Sequence, residues 1–187
     1  MKKGGIVFAL LLIGVVIFIF SGYRLTPLSA GKANPFVTND YELVDKYEMD
    51  SSSFYLFKSD AKKEYITVDV NQKNFIYRSS ASTSIPYSND LLQTIGGFSI
   101  RYEDKGATLF VVLSNDEKVT SIGIQTGNKD EIKNITKGET IHFLLPFSKQ
   151  IDQLNAIAYD KEGNALYYYG WNEGNIKSDL KWHKLKG

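Results

Sequence analysis

Aromatic residues crowd one short stretch near the C-terminal end of the chain. Residues 167–171 read YYYGW, and Trp182 follows within an ending, residues 181–186, that alternates basic and apolar side chains. Successive side chains of a strand point to opposite faces, so one face would serve a core and the other would expose Tyr168. Exposed aromatic rings stack on sugars or grip proteins. Tyr168, Trp171 and Trp182 are therefore candidate ligand-binding residues, and a strand covered on both faces is the alternative.

Paired carboxylates are the second chemistry that the composition allows, because two acids across a cleft can cleave a glycosidic bond. The acidic residues available near the aromatic stretch are Asp152, Asp160, Glu162, Glu173 and Asp179. Two of them, Asp160 and Glu162, stand in the sequence DKEGN, where a turn explains the aspartate without catalysis. A carboxylate-dependent hydrolase is therefore an alternative function, and we assign no catalytic residue.

Several other chemistries are excluded by residue type. Cysteine is absent, which removes thiol nucleophiles and cysteine-ligated metals. The two histidines, His142 and His183, are far apart in sequence, so no metal site and no cofactor is predicted. The S-x-x-K spacing of serine–lysine enzymes occurs at Ser29, Ser59 and Ser178, but no K-T-G accompanies it.

The charge distribution argues against nucleic acid as a partner. Four of the 22 basic residues lie in residues 1–35, which contain no acid. The other 18 basic residues face 21 acidic ones, a net charge of −3 over residues 36–187. Such a domain lacks the positive field that attracts a phosphate backbone.

Short apolar and aromatic runs separated by turn residues must position these side chains. Their spacing is typical of a mainly β fold, and we predict an antiparallel β-sandwich or barrel-like domain over residues 36–187. Two segments are predicted to differ: residues 88–95 as a helix ended by two glycines, and residues 79–84 as a hydroxyl-rich loop. The predicted strands are 41–47, 54–58, 65–70, 74–78, 98–103, 107–114, 119–126, 140–145, 154–159, 165–171 and 180–185.

The N-terminal segment predicts the compartment. Residues 4–23 are uncharged and mostly apolar, long enough as a helix to cross a bilayer core of roughly 30 Å. We predict a single uncleaved transmembrane helix, a signal anchor, with a cleaved signal peptide as the alternative. Lys2 and Lys3 favour residues 1–3 on the cytosolic side and the β domain outside the cell membrane; Arg24 weakens this bias, and the alternative places the domain in the cytosol. Residues 24–35 then form a juxtamembrane linker or a short helix, with Thr26 as its cap and Pro27 in its first turn.

A pattern over residues 119–169 resembles small exported or membrane-anchored β-domain proteins of Gram-positive bacteria. The matching segments are the strand VTSIGIQT, the segment KGETIHFLLPF and the hairpin LNAIAYDKEGNALY. The resemblance implies an extracytoplasmic β domain and assigns no functional residue.

These observations together predict a single-pass membrane protein whose extracytoplasmic β domain is an interaction or ligand-binding module at the cell envelope. The predicted partners are the membrane itself, through residues 4–23, and an envelope protein or polysaccharide. Two alternatives stay open: the carboxylate-dependent hydrolase of envelope polymer, and a structural accessory subunit of a membrane complex.

Overall fold

The structure, a computed structural model, describes residues 3–49, 52–102, 105–127, 130–171 and 180–185. The chain divides into two compact units. Unit 1 comprises residues 1–62 and 66–82, and unit 2 comprises residues 63–65 and 83–187. The single β domain expected over residues 36–187 stays a prediction.

The described residues are mainly strands joined by short turns. The helices are α1 (Lys3–Phe20) and α2 (Pro27–Lys32), and a 3-10 turn covers Ile151–Leu154. The strands are β1 (Tyr23–Arg24), β2 (Glu42–Met49), β3 (Ser52–Ser59), β4 (Glu64–Lys73), β5 (Ile76–Pro86), β6 (Leu92–Tyr102), β7 (Lys105–Ser114), β8 (Ser121–Gln125), β9 (Asp130–Asn134), β10 (Thr140–Leu145), β11 (Ile157–Tyr159), β12 (Ala165–Gly170) and β13 (Lys181–Lys184).

The prediction of a mainly β fold is confirmed. Strands account for 54% of the structure, in three antiparallel sheets, and none of the described sheets closes into a barrel. No helix in the described part of the chain is both long enough and apolar enough to cross a membrane. The transmembrane segment over residues 4–23 therefore stays a prediction.

Unit 1 is a five-stranded sheet in the order β1-β5-β4-β3-β2. Helix α2 packs on one face, where Ala30 meets a buried cluster that includes Tyr55, Phe57 and Val68. The predicted cap of this helix is confirmed, because Thr26 Oγ1 accepts a hydrogen bond from the Ser29 amide at 3.3 Å. Residues 24–35 thus contain a short helix.

Unit 2 contains two sheets that share one core, in the manner of a β-sandwich. One sheet has the order β10-β7-β6 and the other β13-β12-β11-β8-β9. Phe110 and Val112 of the first sheet and Ile122, Ala158 and Tyr169 of the second belong to the same buried cluster. The alternation of buried and half-buried residues along β12 follows the period of two that the aromatic run predicted.

Two predictions for the middle of the chain are wrong. Residues 79–84 are part of strand β5, and residues 92–95 begin strand β6, while residues 88–91 are irregular. Gly96 and Gly97 do not end a helix. Instead, the missing side chain of Gly97 admits Ile151, since a methyl group there would lie 2.8 Å from Ile151 Cδ1.

Strand β9 was not predicted, because its sequence DEIKN has a single large apolar residue, and its exposed Ile132 buries nothing in the core. Strands β6 and β7 form an antiparallel hairpin, in which Tyr102 pairs with Lys105.

A buried hydrogen bond ties the β7–β8 connection to sheet strand β12. The hydroxyl of Tyr167 donates to Asp116 Oδ2 at 2.7 Å, and the Lys118 amide donates to Asp116 Oδ1 at 2.9 Å. Burial alone would raise the pKa of Asp116, but these two hydrogen bonds, together with the nearby charges of Lys184 and Lys118, hold that pKa below its usual value. Burial, together with the carboxylate, raises the pKa of Tyr167 to about 12, so the phenol remains the donor.

Removing this hydroxyl with Tyr167→Phe is expected to lower the free energy of unfolding by about 1.5–3 kcal/mol near neutral pH, as a hydrogen bond to a charged group is lost. A carboxyl group whose pKa is lower in the folded state than in the unfolded state stabilises the fold at pH values above its unfolded pKa. This stabilisation is lost as the pH falls through its folded pKa. The difference between variant and wild type should therefore shrink below about pH 4. Urea denaturation at neutral and acidic pH measures it. Tyr168→Phe is the control, and an equal loss at both pH values would contradict the prediction.

Candidate functional site

A cavity of about 630 Å³ opens on unit 2. We call it the β6–β13 groove, because its walls come from the first residues of β6, from β13, and from the end of β5 with the segment that follows it, residues 83–90. Both β6 and β13 are edge strands of their sheets, so the groove lies where the two sheets of the sandwich end. Its volume falls in the range of small-molecule sites.

The floor of the groove is apolar and largely buried. Tyr169 and Trp182 sit opposite each other on β12 and β13, with ring centroids 5.4 Å apart and planes tilted by 54°. Both rings rest on Phe110, whose centroid is 5.0 Å from Tyr169 and 6.2 Å from Trp182. The other apolar groups of the floor are Ile85, Leu92, Ile151 and Leu180.

The polar groups of the floor are neutral. The indole Nε1 of Trp182 donates to Thr94 Oγ1 at 3.2 Å, which orients the ring across the gap between the two strands. Burial raises the pKa of Tyr169 to about 12, so its hydroxyl stays protonated at neutral pH. The floor thus offers aromatic surface and fixed, uncharged hydrogen-bonding groups.

The rim carries short, exposed hydroxyl side chains. Thr83, Ser84 and Ser88 are exposed, and the Ser88 hydroxyl donates to Asp90 Oδ2 at 3.1 Å. Among the described residues that line the groove, Asp90 is the one acid and Lys181 the one base. The groove is therefore close to neutral, and most of its polar contacts would be made by hydroxyl and amide groups.

The structure places the three predicted binding residues in different surroundings. Trp182 lines the groove but is only 6% exposed, so it serves as floor rather than as an exposed platform. Trp171 is 54% exposed, and its Nε1 donates to Asp152 Oδ2 at 3.1 Å. Asp152 directly follows Ile151 of the groove floor.

Tyr168 belongs to the opposite face of the same sheet. It is half-buried, and its ring stacks on His183 with centroids 5.1 Å apart. The Nε2 atom of His183 lies 3.0 Å from the Gly170 carbonyl oxygen, which holds the imidazole against the strand. The three predicted residues therefore do not form one surface, and one of them belongs to the groove.

Sequence reasoning missed the groove residues Ser84, Ser88, Thr94 and Tyr169. A signal was present, because the stretch RSSASTSIP is rich in hydroxyl groups. The stretch is not a loop but part of β5, and this strand brings Thr83 next to β6, where Thr83 Oγ1 donates to the Gly97 carbonyl at 2.6 Å.

The described residues give little support for a metal site or for catalysis by paired carboxylates. No group of three or more metal-binding side chains occurs among them. Asp160 accepts hydrogen bonds from the Glu162 and Asn164 amides at 3.0 and 2.8 Å, as the turn interpretation predicts. Hydrogen bonding from the Asn164 side chain lowers the pKa of Asp160. Glu173 and Asp179 lie outside the described residues.

The serines of two of the three serine–lysine spacings make hydrogen bonds within their own local structure. Ser29 belongs to the first turn of α2, where its hydroxyl donates to the Thr26 carbonyl at 2.9 Å. The hydroxyl of Ser59 donates to the Asp40 carboxylate and accepts from the Lys62 amide at 3.0 Å. Ser178 lies outside the described residues. These contacts give the first two serines structural roles.

No family model matches the chain, and no curated protein or solved structure is significantly similar to it. The resemblance of residues 119–169 to membrane-anchored β-domain proteins stays a prediction.

Proposed function

We propose that this protein is a membrane-anchored binding protein whose β6–β13 groove takes a neutral, hydroxyl-rich ligand of the saccharide class at the outer surface of the cell membrane. The observation that carries the proposal is the groove itself, with an aromatic floor and a rim of exposed hydroxyl groups. Such a combination suits a molecule that has an apolar face and many hydrogen-bonding groups.

The near-neutral lining supports the choice of ligand class. A phosphate or carboxylate ligand would call for a cluster of cations, and the described lining of the groove has one base, Lys181, and one acid, Asp90. A purely apolar ligand would displace water from the exposed rim hydroxyls without offering them hydrogen bonds in exchange. A saccharide satisfies both the ring surfaces of the floor and the polar rim.

Support for the anchor comes from α1 and its sequence. The described large apolar side chains of this helix, from Val7 to Val16, are exposed. Exposed apolar surface on every turn of a helix is unfavourable in water and favourable in lipid. The helix of 18 residues is about 27 Å long, and the apolar run of the sequence continues to Tyr23. Lys2 and Lys3 support an orientation with the two units outside.

The hydrolase alternative needs two carboxyl groups about 5–9 Å apart across a cleft. Of the described groove residues, Asp90 alone supplies one. No observation favours this function over binding, so binding is the proposal.

Saccharide binding can be tested with the full chain in detergent, using soluble oligomers of N-acetylglucosamine as the probe and calorimetry as the readout. Trp171 and Trp182 are the two tryptophans of the chain, so Trp171→Phe leaves the groove tryptophan as the fluorescent reporter of where binding occurs. We expect saturable heat in the wild type and a saturable change in Trp182 emission.

Removing two rim hydroxyls with Ser84→Ala and Ser88→Ala is expected to weaken that binding about tenfold, at roughly 0.7 kcal/mol for each hydrogen bond. Thr140→Ala removes an exposed hydroxyl of β10 away from the groove and is the matched control. Equal affinity in the rim variant and the control would rule out the groove as the site. Absence of any saturable signal, with capture of an envelope protein by the full chain, would favour a protein partner instead.

A further inference from the structure

The sheet of unit 1 is electrically polarised from one edge to the other. Strands β1 and β5, at one edge, carry Arg24 and Arg78 and contain no acidic residue. Strand β2, at the opposite edge, has the sequence ELVDKYEM, with three acids and one lysine. An anionic surface would therefore attract the β1–β5 edge and repel the β2 edge.

Exposed apolar side chains accompany the two arginines. Leu25, Phe36 and Phe75 are 68%, 67% and 78% exposed. Leu25 follows β1 directly, and Phe75 lies in the turn just before β5. Phe36 is placed near the same strand, because the side-chain amide of Asn34 donates to Ser79 Oγ at 2.8 Å. We call Arg24, Leu25, Phe36, Phe75 and Arg78 the edge surface.

The edge surface begins where the apolar helix ends. Helix α1 stops at Phe20, and three residues later Tyr23 pairs with Arg78 of β5. The guanidinium of Arg78 lies over the Tyr23 ring at 5.5 Å, and Arg24 Nη1 donates to the Tyr23 carbonyl at 2.8 Å. The sheet edge is thus attached to the helix by a short, hydrogen-bonded junction.

We propose that the edge surface rests on the bilayer, with Arg24 and Arg78 on anionic lipid headgroups and the three exposed apolar side chains in the interfacial layer. This proposal rests on the anchor proposed above, because α1 delivers the edge to the membrane. Basic residues beside exposed aromatic and aliphatic side chains are the combination by which proteins bind anionic membrane surfaces. The consequence is that unit 1 has a defined orientation on the membrane, with β2 turned away from it.

The experiment uses the full chain reconstituted into vesicles of phosphatidylcholine, with or without phosphatidylglycerol. Because the chain has no cysteine, one engineered thiol gives a unique fluorophore position. Pro35→Cys labels the edge surface and Val44→Cys labels β2; both positions are exposed. A nitroxide on the lipid headgroup quenches a fluorophore that touches the membrane surface.

We expect strong quenching at position 35 in the anionic vesicles and little at position 44. Arg24→Gln with Arg78→Gln should weaken the contact about fivefold for each arginine removed, and added salt should do the same. Lys46→Gln with Lys58→Gln, two lysines ion-paired near the opposite edge, is the control and should change nothing. Equal quenching at the two labels, or equal quenching in the wild type and in the double arginine variant, would overturn the proposal.

An alkaline carbonate wash of the same vesicles separates this proposal from the anchor. Retention after the wash without arginine-dependent quenching would support the anchor and overturn the edge surface. Loss in the wash, with salt-sensitive and arginine-dependent binding at neutral pH, would overturn the anchor and support the edge surface. Loss of the protein in the wash, together with quenching that does not depend on the arginines, would overturn both the anchor and the edge surface.

Discussion

The double substitution Leu11→Lys and Val15→Lys in α1 is expected to move the protein from the membrane fraction to the soluble fraction of cells that express it. Each lysine near the centre of an apolar helix costs about 3 kcal/mol on insertion into a bilayer, so the pair changes partitioning by a factor on the order of 10⁴. Leu11 and Val15 are exposed on the helix surface, so neither substitution removes a contact of a packed core. Membrane fractionation followed by a carbonate wash measures the effect.

The matched control replaces the same two residues by other apolar ones, Leu11→Ile and Val15→Leu, and should stay with the membrane. Protease added to intact cells should digest both units in the wild type, since the proposed orientation places them outside. A wild-type protein washed out by carbonate, or a double-lysine variant that remains bound, would contradict the anchor.

Replacing Phe110 by alanine should cause the largest loss of stability in unit 2. The side chain is fully buried, and its ring meets those of Phe143, Tyr169 and Trp182 at 5.0–6.4 Å. Truncating a buried phenylalanine costs about 3–5 kcal/mol, which is a large part of the total stability of an ordinary domain. Both tryptophans belong to unit 2, so urea denaturation followed by tryptophan fluorescence reports this unit.

The Phe110→Ala variant should fail to bind the ligand even under conditions in which it is still folded, because Tyr169 and Trp182 lose the ring that supports them in the groove floor. Ile132→Ala, at an exposed position of β9, is the control and should change stability by no more than about 0.5 kcal/mol. If Phe110→Ala were as stable as that control, the shared core of the two sheets would be wrong.

Local pattern was enough to predict much of the fold. Strand β10 was predicted with its observed bounds, because Phe143 and Leu145 alternate with less buried residues. The cap of α2 was also predictable, since Thr26 and Pro27 act on the backbone within one turn. These features depend on interactions between residues that are neighbours in sequence.

The groove depends on residues far apart in the chain. Thr94 and Trp182 are 88 residues apart, and their hydrogen bond forms because two sheets meet at their edges. The helix expected at 88–95 does not form for a related reason: ten of the 11 residues of β6 pair with residues of β7, and this non-local pairing outweighs a short helical pattern.

Taken alone, the amino-acid sequence determined the mainly β character and the apolar N-terminal run, and it left a linker and a short helix as the two possibilities after residue 26. Each of these follows from side-chain periodicity and backbone preference over a few consecutive residues. Only the tertiary structure decided that Trp182 lies in a groove while Tyr168 packs on His183 at the opposite face. Strand pairing and sheet packing assign each residue its neighbours, and they do so across distances in the chain that no local pattern spans.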